Sequence, residues 1–330
     1  MCARMKVPFD YNNKEEFQGK LLDWIGDVFY DILPENGYEV REEQVFTAYK
    51  IADALCNNKV HLAEAGLGIG KTFAYLLPAI AYARFRGKPV VIACATTALQ
   101  EQLAGEQGDI QILSKLLGLE IDARMAKDPR LYICDVKVEE NTGNFSDEMR
   151  QWIKNTKRGE RSEIPTISDR AWKNVGWDEF MACDVCMNRG FCKLVKAREF
   201  YRTAKDLIIA DHEVFFQDLW TREERISDGT SPLLPGYSAV IFDEGHKVFL
   251  PAAMGAGQQI IQEEMNEIIQ TLSDVQGARD SFASVIVALE QICNDFFSYL
   301  AENIIEDNRS DRQSIGVDQT LLNYAKEFSK

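Results

Sequence analysis

The chain has 330 residues, 46% of them hydrophobic, and a formal charge of −15. That length holds two domains or one domain with insertions, and the acidic balance excludes a uniformly basic nucleic-acid binder while leaving room for a local basic path. The longest apolar stretch, Phe73 to Ala83, contains Pro78 and is too short for a bilayer, and no apolar core follows Arg4 and Lys6 at the start, so a soluble cytoplasmic protein is expected.

In such a compartment the eight cysteines stay mostly reduced, and clustered ones point to metal or redox work rather than disulfides. Residues 14 to 33 alternate charge with Phe17, Leu21, Leu22, Trp24, Ile25, Val28, Phe29 and Ile32, an amphipathic helix stopped by Pro34 and Gly37. A second amphipathic helix runs through Leu55. Gln44, near its start, could offer its amide to a base edge, the ordinary alternative being a solvated helix residue.

The apolar run Val60 to Ala63 reads as a buried strand leading into Glu64-Ala65-Gly66-Leu67-Gly68-Ile69-Gly70-Lys71-Thr72, with a helix from Phe73 to Arg86 behind it. Glycines at 66, 68 and 70 let backbone N–H groups curl inward around an anion. The helix start adds its free N–H groups and positive dipole end. In this arrangement Lys71 reaches the β- and γ-phosphates of ATP and the Thr72 hydroxyl ligates Mg²⁺. Ala65 replaces the first glycine of the strict pattern, a small residue for a small residue.

Pro89 to Ala95 reads as a fully buried strand, as a parallel sheet requires. Thr96 to Leu103 then turns into a helix, with Thr96 either holding a nucleic-acid phosphate or acting as a plain N-cap. Residues 104 to 205 break the strand–helix rhythm and contain Cys134, Cys183, Cys186 and Cys192, the last three spaced C-x2-C-x5-C. Four thiolates suit an iron–sulfur cluster or tetrahedral zinc, and spacing alone does not choose between them. Gln151 to Lys205 holds twelve Lys and Arg against seven Asp and Glu, interleaved with Trp152, Trp172, Trp177, Phe180 and Phe191. That mixture fits single-strand binding, or a solvated face over core aromatics.

Asp206 to Ala210 is another buried strand, and His212 behind it reads as structural. Ala239 to Phe242 is a strand ending in Asp243-Glu244-Gly245-His246, which puts two carboxylates at the sheet edge that also carries the phosphate loop. There Asp243 would hold Mg²⁺ and Glu244 would polarise the attacking water. Residues 260 to 300 are helical in pattern, 306 to 316 read as a loop, Leu321 to Phe328 as a weak helix, and no strand is expected after Phe242.

Taken in order, these residues resemble the N-terminal part of the DinG/XPD-like iron–sulfur helicases of superfamily 2. Tyr38 to Gln44 is similar to the adenine-contacting Q-motif, and Glu64 to Thr72 to motif I with Leu67 in place of threonine. Thr96 to Leu103 resembles motif Ia, and the four cysteines occupy the cluster positions. Ala204 to His212 resembles the strand after the cluster, with Asp211 where asparagine is frequent, and Asp243 to His246 resembles the DEAH box with glycine for alanine. Lys127 to Ile133 departs from the family's Gly-Arg-x-Asn-Tyr form.

The resemblance covers about residues 20 to 250. It implies an α/β fold: a RecA-like P-loop NTPase parallel sheet with helices on both faces, an inserted cysteine-rich iron–sulfur domain and a C-terminal helical, arch-like segment. It implies domains at 1–109, 110–205, 206–250 and 251–330, with the second RecA-like lobe absent. It implies an ATP-dependent DNA helicase moving 5′ to 3′ on single-stranded DNA or a forked duplex, and a [4Fe-4S] cluster over zinc. Lys71, Asp243 and Glu244 would be catalytic, and Gln44, Ala65, Gly66, Gly68, Gly70, Lys71, Thr72 and His246 would line the nucleotide. A metal-stabilised nucleic-acid binding module without turnover is the alternative, and a P-loop enzyme with structural zinc a third.

Overall fold

The computed structural model describes residues 6–64, 66, 70–141, 145–178, 181, 183, 186–256, 261–273, 280–305 and 314–328. Residues Met1–Ala256 form one unit and Gly257–Lys330 a second. In the first, α1 (Lys14–Asp27) is capped by the Asn13 side chain and passes through a wide turn, Val28–Ile32, into the short α2 (Leu33–Glu35). Then come α3 (Glu42–Cys56), α4 (Lys71–Arg86), β1 (Val90–Cys94), α5 (Thr97–Ala104), α6 (Asp109–Leu117) and β2 (Ala123–Ala126). After a cysteine-bearing segment with α7 (Asp135–Glu140), α8 (Asp147–Asn155), α9 (Asp169–Lys173) and α10 (Lys193–Arg202), the chain re-enters the sheet as β3 (Leu207–Asp211). It continues with α11 (His212–Ser227), β4 (Ala239–Phe242) and α12 (Phe249–Ala256).

The four strands pair in parallel in the order β2-β3-β1-β4. An all-parallel sheet needs cover on both faces, and its strands alternate between two cores rather than between core and water. Val90, Ile92, Cys94, Leu207 and Ile209 enter one core with α1, α3 and α4; Val91, Ala93, Ile208 and Ala210 enter the other with Val214, Phe215 and Tyr201. α4 is buried from Phe73 to Arg84 and runs without a break through Pro78, whose lost N–H is offset by packing on every side.

At the amino edge of the sheet the Arg84 guanidinium meets the Asp206 carboxylate twice, at 2.9 and 2.8 Å, with side-chain exposures of 2% and 0%. Arg84 also donates to the backbone oxygens of Lys6 and Glu120, and Asp206 accepts from the Asp122 N–H. This buried pair is hydrogen-bonded throughout, which is the condition for tolerating its desolvation.

Two expectations are corrected. Val60 to Ala63 is not a strand: a left-handed turn at Asn58 (φ +53°) follows α3, Val60 and Leu62 are each 92% exposed, and β4 is the edge of the sheet. Only two strongly apolar residues sit in that run, too few to hold it down. β2 and most of α6 fall within 110–205, yet β2 is the opposite edge of the same sheet. The departure from the sheet therefore begins after Ala126. That departing segment has a core of its own, Ile133, Phe145, Met149, Ile164, Trp172 and Val175, with Trp152 against Trp172. It is fastened to the sheet by Lys127, whose buried ammonium meets Glu101 of α5 at 2.5 Å and Glu160 at 2.6 Å.

The second unit packs α13 (Gln262–Ser273) on α14 (Asp280–Glu302) through Ile269, Ile286 and Cys293, and ends in α15 (Gln319–Phe328). Against expectation, it contains two further strands, β5 (Ile304–Ile305) and β6 (Ser314–Ile315), paired antiparallel. Two residues per strand leave no periodicity to read. Among the described residues no helix is long and apolar enough to cross a membrane.

Candidate functional site

The first turn of α4 and the chain after β4 meet at the carboxyl edge of the sheet. Gly70 caps α4 in the left-handed region (φ +80°), where glycine is at ease, and Lys71 opens the helix. Gln44, 7% exposed, donates from Nε2 to the Gly70 oxygen at 2.5 Å, so its amide holds the end of the glycine loop rather than facing solvent. A Cβ at Gly70 would stand 2.6 Å from that nitrogen. Gly66 is exposed, while Ala65 and Gly68 lie outside the described residues.

Across from Lys71, Glu244 occupies the left-handed region (φ +55°), a costly conformation for a residue with a Cβ. There its Oε1 lies 3.3 Å from Lys71 Nζ and its Oε2 3.5 Å from His246 Nδ1. Both partners of the Lys71–Glu244 pair are about a third exposed, open to a ligand.

Asp243 is held at four atoms. Its N–H donates to the Ala93 oxygen at 2.9 Å, and its backbone oxygen lies 3.0 Å from His212 Nε2. Its Oδ1 accepts from the Glu244 N–H at 2.9 Å, and its Oδ2 accepts from the Tyr75 hydroxyl at 3.0 Å. His212 Nε2 is also 3.1 Å from the Ala93 oxygen, so one N–H spans two strand ends. Burial lowers the His212 pKa and keeps the ring neutral, and its Nδ1 has no partner among the described residues. His212 thus ties the ends of β1 and β4 together.

Thr72 lies one helical turn before Tyr75 on α4, and Asp109 is the first residue of α6. Burial, and further the charge of Asp243, raise the Asp109 pKa, while the Thr72 hydrogen bond opposes the shift. Sequence reasoning singled out neither Tyr75 nor Asp109. Tyr75 has one faint signal, its place one helical turn beyond Thr72 on the same face. Thr96 accepts from the Leu99 N–H and is an N-cap.

The cysteine segment forms a second candidate. Cys134, Cys183, Cys186 and Cys192 line one cavity of about 870 Å³. Cys134 stands at the N-cap position of α7, Cys192 at that of α10 and Cys186 at that of a single helical turn, Met187–Gly190, none of them with a side-chain capping hydrogen bond. Burial pushes the Cys134 thiol up, opposed by the N–H groups of Lys137 and Val136. The Trp177 indole N–H donates to Cys183 Sγ at 3.0 Å. The sulfurs are not drawn into a cage: among the described residues no three His, Cys, Asp or Glu side chains stand close enough to hold a metal ion.

The basic, aromatic stretch divides. Trp152 and Trp172 belong to the segment's core, whereas Phe191 is 79% exposed with Lys196 over its ring at 6.0 Å. Phe180 lies outside the described residues.

No protein-family model matches the chain. It is 37% identical over 340 residues to a protein of Bacillus subtilis named probable ATP-dependent helicase YpvA, covering 98% of this chain and 53% of that one. It is 28% identical to the ATP-dependent DNA helicase YoaA of Haemophilus influenzae, covering 72% of this chain and 38% of the relative. It is 27% identical to the ATP-dependent DNA helicase DinG of Photobacterium profundum, covering 77% and 42%. The chain spans about half the length of the curated relatives it matches.

Proposed function

The chain belongs to the DinG-like helicase family, and on that premise we propose that it is the ATP-binding half of an ATP-dependent DNA helicase. The carrying observation is the meeting of Lys71 with Glu244 at 3.3 Å and of Tyr75 with Asp243 at 3.0 Å, at the sheet edge where α4 begins. In this reading an incoming triphosphate takes Lys71 from Glu244, so that one event grips the β- and γ-phosphates and frees a base for the attacking water. Thr72 and Asp243 would hold Mg²⁺, which would supply positive charge beside the phosphates. Gln44 steadies Gly70 through its nitrogen and presents its amide oxygen to the adenine. His246, beside Glu244, orients that carboxylate.

We assign Cys134, Cys183, Cys186 and Cys192 to a [4Fe-4S] cluster on the strength of their shared cavity and the Trp177 N–H aimed at Cys183 Sγ; the four sulfurs would draw together around it. Bound there, the cluster would supply a four-point cross-link for a segment with a small core. The exposed Phe191 and its basic surroundings would stack and guide a single strand of DNA. A second RecA-like lobe would come from a longer form of the protein or from a partner chain, with translocation 5′ to 3′. Because such lobes contribute an arginine worth about 10³ to 10⁵ in rate in related enzymes, this chain alone is expected to bind Mg·ATP and hydrolyse it feebly. Titration of a fluorescent ATP analogue into wild type and Lys71→Ala tests the nucleotide reading, which fails if the affinities agree. Anaerobic purification followed by iron, sulfide and zinc analysis tests the cluster.

A further inference from the structure

The Tyr75 hydroxyl is the only side-chain donor given to the Asp243 carboxylate among the described residues, and it comes from the helix that carries Lys71 and Thr72. The other oxygen takes the Glu244 N–H, so the two hydrogen bonds together fix the plane of the carboxylate. Tyr75 is 5% exposed and packed in the main core, and its ring has no freedom to take the hydroxyl elsewhere. A buried donor left without an acceptor is costly, and the carboxylate is held in turn.

We propose that Tyr75 is a positioning residue for the magnesium site: its hydroxyl, bonded to Asp243 and carried one helical turn from Thr72, orients the carboxylate that would meet the cation. This rests on the nucleotide reading above. It adds the residue that couples the glycine-loop helix to the metal carboxylate across 168 positions of sequence. Groups that orient metal-bound carboxylates are worth about 10- to 100-fold in metal affinity. A phenol that donates to one oxygen of Asp243 leaves the remaining lone pairs of that oxygen for the cation.

The test uses the whole chain and a fluorescent ATP analogue, titrated with magnesium chloride from an EDTA-treated start, for wild type and Tyr75→Phe. The expected result is a roughly tenfold rise in the magnesium concentration at half-saturation for Tyr75→Phe, with affinity in EDTA unchanged within about twofold. An unchanged half-saturation overturns the role of Tyr75 and leaves the nucleotide site standing. An equal loss of affinity with and without magnesium overturns it also, because that marks a merely structural ring. Wild-type binding that ignores magnesium, or no binding, removes the nucleotide reading and this one together, and is read from wild type alone. Should Tyr75→Phe not fold, Tyr75→Met, also without the hydroxyl, carries the same titration and the same outcomes.

Discussion

Lys71 and Glu244 face each other at 3.3 Å, a cation and a carboxylate each assigned to a different part of one reaction and each occupied by the other. A phosphate group competes with Glu244 for the ammonium. The pair is partly exposed, so its own strength is modest, about 0.2–1 kcal/mol for such bridges, and a triphosphate can displace it.

Replacing Glu244 by Gln removes that competition. Nucleotide affinity of the chain should rise by up to about fivefold, the equivalent of the pair's strength. ATP hydrolysis, measured with a second RecA-like lobe supplied, should fall by about 10² to 10⁴ as expected for loss of a general base. Equilibrium binding and phosphate release check the two halves separately, and a fall in affinity would place the ion pair outside the nucleotide site.

The Asp211 carboxyl, which caps α11 by accepting from the Val214 N–H at 2.7 Å, is pushed up to about 7. Burial is the main cause; the Val214 hydrogen bond opposes it, and the charges of Asp128 and Glu213 add to it. The folded state therefore holds this proton more tightly than the unfolded chain. The stability that this contributes is fully present below about pH 4 and is lost as pH rises through about 7. Asp211→Asn keeps the capping oxygen and drops the charge. It should raise stability on the order of 2 kcal/mol at pH 8, less at pH 5, by chemical denaturation at both values. Equal gains at pH 5 and pH 8 would refute the titration.

Asp206→Ala strands the buried Arg84 guanidinium and should cost about 3–5 kcal/mol. Arg84→Met with Asp206→Leu removes both charges and should recover most of that loss. Urea unfolding of the three proteins measures the difference, and a single mutant no less stable than the double one would contradict the assignment.

Thiol reactivity should divide the cysteines in metal-free protein at pH 8. Burial pushes the Cys94 thiol up to about 12 and Cys56 up to about 11, so both should resist iodoacetamide. Cys183, Cys186 and Cys192 are partly exposed and line a cavity, and should be alkylated within minutes to hours. With the cluster in place all four cavity cysteines should be protected. Peptide mass spectrometry reads each site, and labelling of Cys94 as fast as Cys186 would count against the division.

What could be read in advance follows from the range of the interaction. The inner strands β1 and β3 are short apolar runs, and parallel burial writes itself as such a run; the meeting of Lys71 with Glu244 was legible because residue type at a fixed spacing after a strand placed both at one sheet edge. β2 escaped because Ala-Arg-Met-Ala has a charged residue in its middle, no β-branched residue, and only its last residue buried. Val60 to Ala63 misled because an apolar run has no strand identity without an edge to receive it. Tyr75 and Asp109 escaped for a third reason: their meaning lies in contacts with Asp243 and Thr72 that only folding creates. The four cysteines were legible as a set, whereas their seats at helix ends were not.

The helix α4 is moored twice, by Tyr75 to Asp243 near its beginning and by Arg84 to Asp206 near its end, on opposite rims of one sheet. A rod fastened at both ends cannot rock or glide without breaking one mooring. A pull on the Lys71 end of this strut would therefore be felt at the amino rim of the sheet, where Arg84 holds Asp206.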